Sequence, residues 1–178
     1  MKFSNIYSKG VTVYEKEANP GGQVYLGSRP PHKEKLNWCI EDLVTSCTKL
    51  GVDIKYSAEV TKDIIMAEKP YAVICATGGN AVKPKSIEGT DKDCVYIPEE
   101  ILNGSVQLEN KKVAVIGSGM AGLETAELLT TMNNKVIVVE MADEVAPGVW
   151  MQHKDDIMPR LKEKNVSFYP SRKLVAIK

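Results

Sequence analysis

The sequence predicts an α/β fold in which short strands alternate with helices and form parallel sheets. Two apolar runs, residues 113–116 and 136–139, flank a stretch with helical periodicity. A third run, residues 71–76, is apolar without alternation, which is typical of a strand buried on both faces of a parallel sheet. Because strands alternate with helices along the chain, a coiled coil and an all-β fold are excluded.

A glycine motif lies between the first two apolar runs. Gly117, Gly119 and Gly122 form the pattern G-x-G-x-x-G directly after a strand and at the start of a helix. In this context the first glycine allows a tight turn, the second lets a pyrophosphate approach the backbone, and the third lets the helix pack on the strand. The helix N-terminus adds unpaired N–H groups and partial positive charge. The motif predicts that a dinucleotide is bound by Gly117, Ser118, Gly119, Met120, Ala121 and Gly122, and the alternative is a structural turn that binds nothing.

An acidic residue ends the second strand of this unit. Glu140 lies 23 residues after Gly117, close to the roughly 20 residues expected for a carboxylate that accepts hydrogen bonds from ribose. A carboxylate accepts from a 2′-hydroxyl but repels a 2′-phosphate, and residues 141–144 contain no Arg or Lys to neutralise one. We therefore expect NADH rather than NADPH.

Composition and charge exclude several classes of protein. The chain has 178 residues with 23 basic and 23 acidic side chains and no basic stripe, which argues against nucleic-acid binding. No apolar stretch approaches the roughly 18 residues of a membrane span, and the N-terminus has no signal-peptide core, so a cytoplasmic protein is expected. The cysteines match no zinc or iron–sulfur spacing and no C-x-x-C pair. We predict no metal site and expect four buried, reduced thiols at Cys39, Cys47, Cys75 and Cys94.

The other elements follow from periodicity and from turn residues. Further strands are predicted at residues 11–15, 52–56, 166–169 and 173–177. Helices are predicted at 34–50 and 153–164, with loops at 17–34 and 80–98. Within the second helix, Pro159 predicts a kink or a late start.

Several segments together resemble flavoproteins that have two dinucleotide-binding domains. They are Val11–Lys16, the Gly21-Gly22-Gln23 turn, the Ala76-Thr77-Gly78-Gly79 step and the glycine motif at 117–122. Residues 19–23, 29–34 and 139–144, with the absence of a redox cysteine pair, are most similar to the NADH:flavin oxidoreductase group. That group includes 2,4-dienoyl-CoA reductase, 2-enoate reductase and trimethylamine dehydrogenase. The resemblance implies a Rossmann-like fold that binds FAD and NAD(P)H.

The resemblance also assigns residues to the flavin nucleotide. Glu15 matches the acid that binds the adenosine ribose, and Val60 matches a backbone contact to adenine. Gly22 and Gln23 match a turn that lies beside the pyrophosphate and ring of the flavin. Ala76, Thr77 and Gly78 match a segment that closes over the nucleotide. Each has a plainer alternative: a solvated strand end for Glu15, a flexible turn for the glycine pair, and a simple strand exit for residues 77–79.

The resemblance further implies a division of the chain. Residues 1–98 correspond to part of an FAD domain with a crossover, and residues 99–178 to an NAD(P) domain that is incomplete at its C-terminus. The FAD domain of the family opens with its own glycine motif, which residues 1–10 lack. The chain is therefore expected to be an interior slice of a longer protein, truncated at both ends, that binds NADH weakly and FAD poorly. FMN and an iron–sulfur cluster are expected only in a missing barrel, on the same or a partner chain.

The function implied by this resemblance is hydride transfer from NADH to FAD within an oxidoreductase of the enoate-reductase type. No catalytic residue is assigned, because the hydride step needs no acid–base group and the cofactors supply the reactivity. Two alternatives remain. One is another two-dinucleotide flavoprotein, such as a ferredoxin reductase or a relative of the glutamate synthase small subunit. The other is a binding domain that keeps the nucleotide turn without turnover.

Overall fold

A computed structural model describes residues 10–178, which divide into two compact units. Unit 1 contains the chain up to Ser28 and Lys35–Gly79, and unit 2 contains Arg29–Glu34 and Asn80–Lys178. The predicted functional division between residues 98 and 99 stays a prediction. In chain order the elements are β1 (Thr12–Tyr14), α1 (Gly22–Gly27), α2 (Leu36–Lys49), β2 (Asp53–Lys55), α3 (Lys62–Glu68), α4 (Pro98–Leu102), β3 (Lys112–Ile116), α5 (Met120–Thr131), β4 (Lys135–Val139), α6 (Met151–Glu163) and β5 (Ser167–Tyr169).

Unit 1 is built on a two-stranded parallel sheet. β1 pairs with β2, with Val13 opposite Ile54. The helices α1, α2 and α3 contain no buried residue. The third helix begins where the Thr61 hydroxyl accepts a hydrogen bond from the Ile64 N–H at 3.4 Å, as N-cap threonines do. Unit 1 therefore has secondary structure with little apolar core within the described residues.

The strand predicted at residues 71–76 does not form, so that prediction was wrong for this structure. The segment is irregular and every residue in it is exposed, with Ile74 exposed by 90%. No strand among residues 10–178 pairs with it. An apolar run becomes a buried parallel strand only when neighbouring strands satisfy its N–H and C=O groups and helices cover its faces.

Unit 2 contains a three-stranded parallel sheet in the order β3-β4-β5. Val113 of β3 faces Val136 of β4, and Val138 of β4 faces Phe168 of β5. The core is formed where α5 and α6 pack on this sheet. Its buried residues are Ile101, Leu123, Ala126, Leu129, Val136, Val138, Ala146, Ile157, Leu161 and Val166. This is the α/β architecture with parallel strands that the sequence predicted.

Three short helices and one helix start were not predicted. α1 lies in the region predicted as a loop, α3 lies between the predicted strands at 52–56 and 71–76, and α4 follows the predicted crossover. All three are too short for periodicity to reveal. At α4, Pro98 occupies the first turn and the Glu100 carboxylate accepts from the Ile97 N–H at 2.8 Å. α6 begins at Met151, so Pro159 lies inside the helix and does not delay its start.

Two further predictions were wrong. Cys39, Cys75 and Cys94 are exposed and Cys47 is half-buried, because the elements that carry them are uncovered in the described part of the chain. The predicted strand at 173–177 reduces to one bridge, in which Ala176 pairs with Glu88.

Among residues 10–178, no helix has the length and apolarity needed to cross a membrane.

Residues 29–34 belong to unit 2 although they lie between α1 and α2 in the chain. Pro30 is fully buried there. The Arg29 Nε donates to the Leu102 carbonyl at 3.3 Å, and Lys33 pairs with Glu124 of α5. We call residues 29–34 the inserted loop.

Candidate nucleotide-binding site

The glycine turn joins β3 to α5 and is anchored to β4. Gly117 has φ 95°, a left-handed conformation that favours glycine. Its N–H donates to the Val139 carbonyl at 2.8 Å, which ties the turn to the end of the neighbouring strand. A Cβ on Gly122 would collide with the Gly117 carbonyl oxygen. The first and third glycines are therefore needed for the turn itself.

The N-terminus of α5 is open to an anion. Gly119 is the N-cap residue, no side chain caps the helix, and no acidic residue lies in its first turn. A Cβ placed on Gly119 would have no heavy atom within 4 Å, and both Gly119 and Ala121 are exposed. The first N–H groups of a helix lack partners inside the helix, so they suit a phosphate. Space, partial positive charge and hydrogen-bond donors coincide at this point.

Glu140 lies beside the turn, directly after β4. Its Oε2 accepts from the Ser118 N–H at 2.8 Å and from the Ser118 hydroxyl at 2.7 Å. Its Oε1 accepts from the Ala142 N–H at 2.9 Å. The residue is 7% exposed. Oε2 accepts two hydrogen bonds and Oε1 accepts one, so Oε1 is the oxygen better suited to accept from a ribose hydroxyl.

These donors keep Glu140 ionised. They lower the pKa of its carboxyl from 4.5 to about 2, with the Ala142 N–H contributing most, then the Ser118 N–H and the Ser118 hydroxyl. Burial acts in the opposite direction. Hydrogen bonds donated to a carboxylate favour its charged form, and here they outweigh desolvation. The site therefore presents a negative charge at neutral pH.

Ser118 extends the network to the loop after β4. Its side chain is fully buried, and its Oγ accepts from the Ala146 N–H at 2.8 Å while donating to Glu140. Ala146 has φ 60° and is 2% exposed. The motif predicted Ser118 as a cofactor-binding residue, but its hydroxyl is used within the protein. The Ser118–Ala146 hydrogen bond was not predicted, because a backbone donor 28 residues away leaves no sequence pattern.

The end of β5 adds a cation that the sequence analysis did not consider. The Glu140 N–H donates to the Tyr169 carbonyl at 3.0 Å, and the Glu140 carbonyl accepts from the Arg172 N–H at 2.8 Å. The Arg172 guanidinium donates to the Ser171 carbonyl at 3.1 Å. Pairing of β4 with β5 brings the backbone of Arg172 next to Glu140, so a basic residue adjoins the acid although residues 141–144 contain none.

The residues predicted to bind the flavin nucleotide all lie in unit 1. Glu15 is half-buried, and its Oε1 accepts from the Glu17 N–H at 3.0 Å. The Glu15 carbonyl accepts from the Ala58 N–H at 2.9 Å, which brings Glu15 near the segment that leads to Val60. Two of the predicted contacts therefore share one end of the β1–β2 sheet.

A second pair of flavin segments also meets. The Gln23 side chain donates to the Gly79 carbonyl at 3.4 Å, so the Gly-Gly-Gln turn approaches the step formed by residues 76–79. Gly22 has φ 48° and Gly78 has φ 69°, both left-handed. Ala76 and Thr77 are exposed. The flavin contacts assigned to these residues remain predictions.

Two ion pairs support α5 behind the turn. Glu127 is buried, and both of its oxygens accept from Arg160 of α6, from Nε at 2.5 Å and from Nη2 at 3.3 Å. This contact raises the pKa of Arg160 above its usual value. Lys33 of the inserted loop pairs with Glu124 one turn into the same helix. Neither pair was predicted, since the partners lie far apart in the sequence.

Comparison with known proteins identifies the family. Residues 6–178 match the pyridine nucleotide-disulphide oxidoreductase family. The chain belongs to this family. Membership implies that a protein of this kind binds FAD and a pyridine nucleotide, and the parallel sheets of both units agree with its Rossmann-like flavoprotein fold.

Curated relatives of this family member are much longer proteins. Bilirubin reductase of Mediterraneibacter gnavus is 37% identical over 145 residues, which are 82% of this chain and 22% of that protein. NADH oxidase of Thermoanaerobacter brockii is 31% identical over 160 residues, or 88% of this chain and 24% of the relative. Cinnamate reductase of Clostridium sporogenes is 32% identical over 135 residues, which are 76% of this chain and 20% of that protein. The chain thus spans less than a quarter of the length of these relatives.

Solved structures of larger proteins resemble nearly all of the chain, and one of them is a reductase. A complex of 2-naphthoyl-CoA reductase with 2-naphthoyl-CoA superposes with a TM-score of 0.90 at 29% sequence identity. The match covers 97% of this chain and 26% of that protein. The chain therefore has the fold of one part of a larger oxidoreductase.

Proposed function

We propose that this chain is the pyridine-nucleotide and flavin module of an NADH-dependent flavin oxidoreductase in the NADH:flavin oxidoreductase group. In the complete protein it would pass hydride from NADH to FAD. The observation that carries the proposal is the open N-terminus of α5 beside the ionised carboxylate of Glu140.

The residues present fit a dinucleotide with a free 2′-hydroxyl. The open space at Gly119 admits the pyrophosphate to the backbone N–H groups at the start of α5. Glu140 offers Oε1 to the adenosine ribose, because its other oxygen is taken by Ser118. The same negative charge disfavours the 2′-phosphate of NADPH, which supports NADH as the preferred donor.

The protein's part in hydride transfer is positioning. A bound flavin supplies the acceptor atom for the hydride, and no acid–base side chain is needed for that step. Glu15, Val60, Gly22, Gln23 and the step formed by residues 76–78 are proposed to hold the flavin nucleotide. Their proximity in pairs within unit 1 supports this assignment.

The substrate of the complete protein is proposed from its relatives alone. Cinnamate reductase and 2-naphthoyl-CoA reductase are named for their substrates, and both resemble this chain. We propose an activated double bond as the final electron acceptor, reached through FMN and an iron–sulfur cluster in a flavin-binding barrel elsewhere in the protein or on a partner chain. A cytoplasmic location is part of this proposal.

Nucleotide binding is tested by calorimetric titration of the 178-residue chain with NADH and with NADPH. We expect NADH to bind more tightly than NADPH. Glu140→Arg should weaken NADH binding and shift the preference toward NADPH, because an acceptor becomes a cation that suits a phosphate. The matched control is Glu163→Arg, which reverses the charge of an exposed acid at the C-terminal end of α6, outside the loop that follows β4. An unchanged NADH-to-NADPH ratio in Glu140→Arg would refute the role assigned to Glu140.

Catalysis is tested separately from binding. The chain is incubated with FAD and an artificial electron-accepting dye, and NADH oxidation is followed by absorbance. Flavin-dependent dye reduction supports an enzyme module. NADH binding without dye reduction, at FAD concentrations shown by titration to saturate the chain, would support the alternative of a nucleotide-binding domain without turnover.

A further inference from the structure

We propose that the Ser118 hydroxyl is a positioning group that sets the ribose selectivity of the site by holding residues 142–146 in place. We call residues 142–146 the ribose loop. The inference rests on the proposed nucleotide binding, and it gives Ser118 a role other than contact with the cofactor.

The burial of Ser118 excludes direct contact between its hydroxyl and a nucleotide. The side chain is 0% exposed, although the glycines on either side of it have room around them. A hydroxyl has one donor and two acceptor positions. Here the donor is used by Glu140 Oε2 at 2.7 Å and one acceptor position by the Ala146 N–H at 2.8 Å. The hydroxyl therefore joins the glycine turn, the acid and the ribose loop.

The ribose loop is fastened at both of its ends. At its start the Ala142 N–H donates to Glu140 Oε1 at 2.9 Å, and at its end the Ala146 N–H donates to Ser118 Oγ. Ala146 has φ 60°, a conformation that costs an L-residue free energy unless contacts compensate. The hydrogen bond to Ser118 and the burial of the Ala146 methyl group provide that compensation. Without the hydroxyl, the loop loses the polar contact at its C-terminal end.

The position of the loop matters because of the charges it carries. Asp143 and Glu144 are exposed in its middle, close in the chain to the Glu140 carboxylate. Glu144 is 3.9 Å from the Lys154 ammonium, which is too long to hold the loop firmly. A fastened loop keeps these acids beside the ribose edge, where they oppose a 2′-phosphate. A released loop moves them away and loosens Glu140 at the same time.

The test compares Ser118→Ala with Thr125→Val in the full chain. Thr125 is a buried hydroxyl on α5 that donates to the Ala121 carbonyl of its own helix, so its removal leaves Glu140 and the ribose loop untouched. Two quantities are measured: the exchange rate of the Ala146 amide by NMR, and the ratio of the NADPH and NADH dissociation constants. We expect Ser118→Ala to speed Ala146 exchange and to lower the ratio about fivefold or more. Thr125→Val should change neither, although both variants lose a buried hydrogen bond.

The outcomes separate this inference from the function on which it rests. If the native chain binds neither nucleotide, the proposed function fails and the selectivity role fails with it. If the native chain prefers NADH but Ser118→Ala keeps the ratio within twofold, the inference alone is overturned. An equal loss of selectivity in Thr125→Val would also overturn it, since general destabilisation would then explain the effect. Should Ser118→Ala not fold, Ser118→Cys, whose thiol is slightly larger than the hydroxyl and is a weaker donor and acceptor, is measured in the same way.

Discussion

The Glu140→Gln variant should be less stable than the native chain at neutral pH, and the difference in stability should fall to less than half by pH 3. The amide has the size of the carboxylate but no charge. Its NH₂ group replaces one acceptor, so at least one of the donors from Ser118 and Ala142 loses its partner. The variant thus removes the negative charge and part of the network that surrounds it.

The magnitude follows from the pKa of the native carboxyl, which falls from 4.5 to about 2. At about 1.36 kcal/mol per pH unit, the upper limit is about 3 kcal/mol of unfolding free energy. The amide oxygen of Gln still accepts part of these hydrogen bonds, so we expect a loss of about 2 kcal/mol. Because the folded pKa is below the unfolded value, the unfolded chain binds more protons between pH 2 and pH 4.5. The contribution is therefore complete above about pH 5 and is lost as the pH falls toward 2.

The assay is urea unfolding followed by circular dichroism, at several pH values from 3 to 7, for the native chain, Glu140→Gln and Glu144→Gln. Other carboxyls titrate in the same range, but they are common to all three proteins and cancel in the differences. Glu144→Gln, whose side chain is 66% exposed, should remain within about 0.5 kcal/mol of native throughout. A native-to-Glu140→Gln difference that is the same at pH 3 and pH 7 would refute the assignment of the low pKa to Glu140.

Three other predictions follow from the packing. Gly122→Ala should lower the unfolding free energy by about 2 kcal/mol or more and abolish NADH binding, because its Cβ meets the Gly117 carbonyl; an unchanged urea midpoint would contradict this. Arg160→Ala should cost about 2–4 kcal/mol by leaving the buried Glu127 carboxylate unpaired. Urea unfolding measures this loss. The double variant Arg160→Ala with Glu127→Gln should regain part of the lost unfolding free energy, and the control variant Arg172→Ala should change the unfolding free energy little. Amides of β1 and β2 should exchange with solvent faster than those of β3 and β4, because the described residues of unit 1 form little buried core. NMR exchange rates that are equal in both sheets would argue against this.

The structural elements around the candidate site that were predicted correctly are those specified by neighbouring residues. The strand–turn–helix unit from β3 to α5 follows from one local motif, whose glycines have the geometry expected of them. The position of Glu140 at the end of β4 follows from the apolar run before it. In these cases the residues that determine the structure lie within a few positions of one another.

The parts that failed depend on residues distant in the chain. Residues 71–76 have the composition of a buried strand, but a strand needs neighbours, and residues 10–178 provide none there. The exposed cysteines fail for the same reason, since helical periodicity shows which face is apolar and not what covers it. The Ser118–Ala146 bond and the approach of Arg172 to Glu140 arise from strand pairing and backbone donors, which residue types do not reveal.

The inserted loop has a consequence for anyone who wishes to separate the nucleotide unit from the rest by gene dissection. A clone of residues 80–178 would contain every helix and strand of unit 2, yet it would omit residues 29–34. The loss of Lys33 would leave Glu124 without its cation one turn from the glycine motif, and the loss of Pro30 would open a gap in the packing. An isolated unit 2 must therefore include residues 29–34, by circular permutation or as a grafted peptide. Only then can its affinity for a nucleotide be compared with that of the 178-residue chain.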